Sequence, residues 1–169
     1  MTGSRVLLIV LSVVTAIVLQ AAVLSRLTFL GARPDLLLVV VVCFALHDGP
    51  LAGTVTGFGA GLTADLLSDH VVGVLALALC VAGWCTGTVR DWYDRLSTLT
   101  PLVIVAVASA AVTVFAAGFS QALGDPRISW SVLAADLPLV CLYDVLLTPF
   151  VFSAIAALTR RTESSAREW

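Results

Sequence analysis

Long apolar runs, broken only by short polar turns, take up almost the whole of this sequence. They cover residues 6–24, 36–46, 51–67, 71–89, 101–122 and 132–158. A helix crossing the hydrocarbon of a bilayer needs about 20 apolar residues, so six passes leave only loops and two tails. Composition agrees. Only 12% of the residues are charged, against about a quarter in an ordinary soluble domain, and mean hydropathy is +1.07. Such a chain needs lipid as its solvent. The expected fold class is therefore an all-α integral membrane protein, a six-helix transmembrane bundle forming one domain over residues 1–169. The net charge of −2 gives no ground for a nucleic-acid partner; the expected surroundings are the lipid bilayer.

The runs are unequal. The first follows Arg5 and is long for a signal peptide, and Gln20-Ala21-Ala22 makes a poor cleavage site, so a retained first helix is expected. Residues 36–46 are only about half a bilayer long. Either that helix starts earlier, near Phe29, or it is short or re-entrant and packed inside the bundle. Pro34 suits a helix start, with Asp35 in the first turn complementing the helix dipole. The last run is interrupted by Pro138 and Pro149. With six passes and a cytoplasmic N-terminus, the inside holds Arg5, Arg90, Arg95, Arg160, Arg161 and Arg167, and the outside Arg26, Arg33 and Arg127. That asymmetry places both termini in the cytoplasm.

The third run carries the densest pattern. Gly49, Gly53, Gly57 and Gly61 recur at every fourth residue, and Asp65 continues the series. Steps of four advance slowly around a helix, so the glycines form a groove where another backbone can approach closely. Gly83 and Gly87 repeat the spacing one run later. The groove serves packing within the bundle or docking of another membrane protein.

Asp65, Asp136 and Asp144 sit at membrane depth, where a carboxylate costs roughly 2.5–3.5 kcal/mol on insertion scales. A structural hydrogen-bonding role is expected, with a proton or substrate pathway as the sharper alternative. Asp65 and Asp136 could also pair with Arg33 or Arg127. Catalytic signatures are missing: no G-x-S-x-G, H-E-x-x-H or P-loop occurs, and the motifs of lipoprotein signal peptidases are absent around Asp136 and Asp144. Cys43, Cys80, Cys85 and Cys141 form no C-x-x-C pair and read as buried thiols. No enzyme activity, metal or cofactor is expected.

The stretch from Arg33 to Gly73 resembles the rod shape-determining protein MreD family. The matching residues are Arg33-Pro34-Asp35 before an aliphatic run, then Gly53, Gly57-Phe58, Gly61, Asp65 and Gly73. Gln20 at the end of the first run and Pro149 before a basic C-terminus support the likeness, whereas Asp144 stands where relatives often carry an uncharged polar residue. The resemblance implies a non-enzymatic scaffold of the bacterial elongation machinery in the plasma membrane, supporting rod shape and peptidoglycan synthesis. It implies association with an MreC-like membrane protein and, through it, with MreB, RodA and a class B penicillin-binding protein. It also implies a fold similar to the S components of energy-coupling-factor transporters. The alternative is a vitamin-binding subunit of such a transporter, which would need an outward pocket with convergent polar groups; Asp65, Asp69, His70, Trp130, Ser131 and Asp136 are the candidates.

Overall fold

The computed structural model of the chain describes residues 3–20, 22, 34–68, 72–90, 99–122 and 130–165. Six α-helices follow one another: α1 (Gly3–Leu19), α2 (Leu36–Asp48), α3 (Pro50–Leu67), α4 (Val74–Val89), α5 (Leu99–Ala122) and α6 (Trp130–Ser165). Two of them, α5 and α6, contain stretches long and apolar enough to cross a membrane, Leu99–Phe119 and Asp136–Ala157. Only 28% and 17% of those windows are buried. The core helix of a soluble protein hides most of its apolar surface, whereas these helices turn it outward, as helices in lipid do. Leu51, Leu66, Val107 and Phe150 are similarly exposed on α3, α5 and α6.

Helix α2 is the exception, because every residue from Leu36 to Leu46 is buried. Its 13 residues rise about 20 Å, well short of a hydrocarbon layer about 30 Å thick. It begins at Leu36, with Asp35 as its N-cap, so Pro34 lies just outside the helix rather than in its first turn. The side chain of Asp35 accepts from the backbone N–H of Leu38 at 3.3 Å. Asp35 is thus a capping residue, a more specific role than favouring the helix dipole.

One residue turns the chain from α2 into α3. Gly49 has φ of +96°, a conformation closed to most L side chains. Its N–H donates to the carbonyl of Ala45 at 2.9 Å, and its carbonyl accepts from Gly53 at 3.0 Å. Gly49 therefore ends one helix and begins the next, with Pro50 at the first helical position, where no N–H is needed. The four-residue series thus starts in a turn and becomes helical only from Gly53.

From there α3 and α4 run antiparallel in backbone contact. A Cβ on Gly53 would strike the Gly83 carbonyl, one on Gly57 the Leu79 carbonyl, and one on Gly61 the Cα of Ala76. Gly83 and Gly87 return the contact, against Gly53 and Pro50. Each four-residue step along α3 meets a similar step back along α4, so the groove is filled within the chain. Phe58 does not belong to it. That side chain is 51% exposed on the outer surface, because it lies one position round the helix from Gly57.

Two further expectations need correction. Pro138 and Pro149 do not interrupt the last helix, since α6 runs through both. Proline removes one N–H and crowds the preceding turn, but in an apolar helix small local adjustments of the backbone let the helix continue through it. Of the cysteines only Cys43 is buried; Cys80 and Cys141 are half-buried and Cys85 is exposed. Facing lipid suits a thiol as well as facing the core does.

The glycine contacts give a sharp stability contrast along one helix. Gly57→Ala and Gly61→Ala each push a methyl group into the α4 backbone and should cost about 1–3 kcal/mol. Gly59→Ala, where a Cβ meets nothing within 4 Å, should be neutral or stabilise by up to about 1 kcal/mol. Thermal unfolding of the purified variants in detergent measures both.

Candidate functional site: carboxylates at buried helix starts

The first turn of any α-helix leaves backbone N–H groups without partners inside the helix. On a soluble protein water takes them; inside an apolar bundle other side chains have to. The residues at membrane depth sort themselves by this demand.

Asp65 meets it for α4. The fourth position of the glycine series falls where α3 passes the start of α4. One oxygen of the Asp65 carboxylate, Oδ2, accepts from the backbone of Gly73 at 2.8 Å and of Ala76 at 3.1 Å. Gly73 is the N-cap of α4 and has no side chain to cap with, so Asp65 supplies both bonds of a capping box from a neighbouring helix. Gly73 has φ of +101° and open space around it, so it is fixed by the turn it makes and not by packing. Asp65 itself is 2% exposed.

A second cluster closes the start of α2, with contributions from α1, α5 and α6. Asp144, fully buried on α6, accepts from the backbone N–H of Asp35 through Oδ1 at 2.7 Å. Its other oxygen accepts from the Ser109 hydroxyl of α5 at 2.5 Å. Gln20, just past α1, accepts from the N–H of Leu37 through Oε1 at 3.3 Å. The Asp35 side chain takes the N–H of Leu38, and its carbonyl accepts from Val39 at 3.3 Å. Within α6 the Thr148 hydroxyl donates to the Asp144 carbonyl at 2.7 Å. The start of α2 is thereby hydrogen-bonded to Gln20 and to Asp144 of α6, and through Asp144 it is linked to Ser109 of α5.

The family comparison can be set beside this geometry. A sequence model for the family described as rod shape-determining protein MreD matches residues 2–160. The chain belongs to the MreD family. No curated protein and no solved structure matches it. Membership assigns a role in rod shape determination and a place among membrane proteins.

The residues on which the sequence resemblance rests do separate jobs in the structure. Gly53, Gly57 and Gly61 join α3 to α4, Asp65 caps α4, Gly73 makes the turn before it, and Pro34 precedes the cap of α2. Among the described ones Phe58 alone is largely exposed. Asp136, expected to be buried, is only half-buried and joins neither cluster. Gln20 is half-buried within the second cluster. Asp65 spends one oxygen on backbone donors; Arg33 and Arg127, its suggested partners, lie outside the described residues, as do Asp69 and His70. For Trp130 and Ser131 only the backbone is described. Among the described residues no three His, Cys, Asp or Glu side chains group as metal ligands.

Sequence reasoning missed Ser109 altogether, as a lone hydroxyl in an alanine- and valine-rich helix. It also missed that Asp144 and Asp35 meet, since they lie 109 residues apart. The available signal was Pro34-Asp35 ahead of a short, wholly apolar run. Such a helix has to start inside the protein and needs acceptors there.

Capping and charge-dependent roles separate by substitution. Asp65→Asn keeps an oxygen that can accept both N–H bonds, and Asp144→Asn keeps the bond from Asp35 while Ser109 turns its hydroxyl to accept. Both should unfold within about 1 kcal/mol of wild type. Asp65→Ala and Asp144→Ala strand buried donors and should cost about 1–3 kcal/mol per lost partner. Detergent melting curves, with membrane levels by blot, give the comparison; equal damage from Asn and Ala would refute the capping role.

Proposed function

We propose that this chain is a non-enzymatic scaffold of the elongation machinery, crossing the plasma membrane several times and supporting peptidoglycan synthesis through partner proteins. The observation that carries this reading is how the deep polar groups are spent. Asp65, Asp144, Gln20 and Ser109 are engaged in closing helix ends and tying helices together. Three open grooves among the described residues, of about 390, 320 and 330 Å³, are lined almost wholly by hydrocarbon. A module built this way offers other proteins helix surfaces. A vitamin-binding subunit needs several polar groups converging on one pocket, and these grooves offer none.

The partner expected from the family is an MreC-like membrane protein, and through it MreB, RodA and a class B penicillin-binding protein. A helical layout like that of the S components of energy-coupling-factor transporters belongs to the same reading. The arginine asymmetry supports cytoplasmic termini and a cytoplasmic loop around Arg90 and Arg95.

Two measurements test this. In a strain depleted of its own MreD, this chain should restore rod shape when its cognate MreC is co-expressed, and MreC should co-purify with it from mild detergent. Round cells with normal membrane levels of both proteins would sink the scaffold reading. For topology, a single cysteine at position 94, with the native cysteines replaced, should resist an impermeant thiol reagent in intact cells. It should react after the cells are opened. Labelling from outside would reverse the orientation.

A further inference from the structure

The apolar helices of this chain are unequal in length, and the inequality is arranged by side. Helix α3 has 18 residues and α4 has 16, which rise about 27 and 24 Å. Both fall short of a hydrocarbon layer about 30 Å thick, and tilting shortens their reach further. The apolar stretches of α5 and α6, 21 and 22 residues long, rise about 32 and 33 Å. The exposed apolar side chains follow the same division. On α3 they run from Leu51 to Leu67 and on α5 from Leu99 to Phe119, spans of about 24 and 30 Å. Helix α4 packs against both α3 and α5, so the short side adjoins the long one.

Polar groups close the short side at both ends and keep it from lengthening. At one end Gly49 turns α2 into α3, and Arg90 ends α4 with its guanidinium beside that glycine, where a Cβ would lie 3.2 Å from Nη1. Asp48 and the exposed ring of His47 adjoin this turn. At the other end the Ser68 N–H and hydroxyl both return to the Asp65 carbonyl, while the Asp65 carboxylate holds the start of α4. The two helices cannot slide past each other either, since Gly53 meets Gly83 and Gly61 meets Ala76 backbone to backbone. The height of this face is therefore fixed.

We propose that the bilayer thins by about 3–6 Å along the α3–α4 face and keeps its ordinary thickness along α5 and α6, so that the short face selects lipids with shorter acyl chains. A bilayer of full thickness there would draw a charge into hydrocarbon, either Arg90 at one end or Asp69, bonded to Ser68 in the chain, at the other. That costs far more than a few ångströms of thinning. A bilayer thinned all round would instead leave exposed apolar residues at the ends of α5, such as Leu99, outside the lipid. The short side and the long side are both satisfied only when the lipid follows the step between them. This inference rests on the reading above that the chain crosses the membrane several times, α3 and α4 included.

The test places the full-length chain in phosphatidylcholine vesicles and reads lipid contact by fluorescence quenching with brominated dioleoylphosphatidylcholine. Trp84 is exposed on α4, and Trp92→Phe, Trp130→Phe and Trp169→Phe leave it as the sole tryptophan. A second variant adds Trp84→Phe and carries Val107→Trp, at an exposed position of α5. Unbrominated dimyristoleoylphosphatidylcholine, with shorter chains, then competes with the brominated lipid. At Trp84 it should relieve quenching about two- to threefold more effectively than unbrominated dioleoyl lipid does; at position 107 it should be no better. Leu77→Trp in place of Trp84, exposed on the same helix, repeats the reading if the first variant folds poorly. Equal preference at the α4 and α5 positions overturns the thinning while the multi-pass reading stands. Quenching at position 107 with none at positions 84 and 77 takes α4 out of the lipid, and overturns the multi-pass reading together with the thinning.

Discussion

The backbone N–H groups at the start of a helix set the terms for this structure. Where a helix begins at the membrane surface, water and headgroups satisfy them. Two helices here begin among other helices, and each needs an acceptor brought from elsewhere in the chain. Asp65 and Asp144 are those acceptors, one for α4 and one, with Gln20 and Asp35, for α2. A carboxylate in an apolar interior is costly alone. Set against the positive end of a helix, with donors pointing at it, its cost is offset by bonds that the backbone required anyway.

This constraint explains how unevenly the sequence discloses the fold. The glycine series could be read because its period follows from helix geometry, and its close packing needs only one more helix. The same period carries Asp65 to the start of that neighbour, so one pattern sets both the contact and the cap. The cluster around Asp144 could not be read in this way. Its members come from four helices, and nothing in the spacing of Gln20, Asp35, Ser109 and Asp144 along the chain says that they meet. The prolines of α6 misled for a related reason. A rule drawn from helices in water overstates what a missing N–H does within a long apolar helix.

The arrangement also divides the inside of the protein from its outside in a way opposite to a soluble domain. The hydroxyls, amide and carboxylates that the fold depends on lie within, beside the aliphatic core of α2, while many other apolar side chains, such as Leu51, Val107 and Phe150, face outward. Specific contact on such a surface has to come from shape, from the few hydroxyls it carries, and from places where backbone is uncovered. Helix α3 shows the contrast most clearly. One side of it is a glycine face already filled by α4, and another carries Gly59, where a Cβ would meet nothing within 4 Å. Both follow from small residues, yet only the first stabilises the bundle.

The clasp on α2 also bears on biosynthesis. The Asp35 N–H and the oxygen it binds are separated by 109 positions, so the second helix leaves the ribosome long before its acceptor has been made. Until the sixth helix enters the membrane, the start of the second has to be sheltered by something else, such as water, a lipid headgroup or the insertion machinery. The last segment synthesised therefore completes one of the first. A chain cut short before α6 loses the acceptor that its innermost helix depends on.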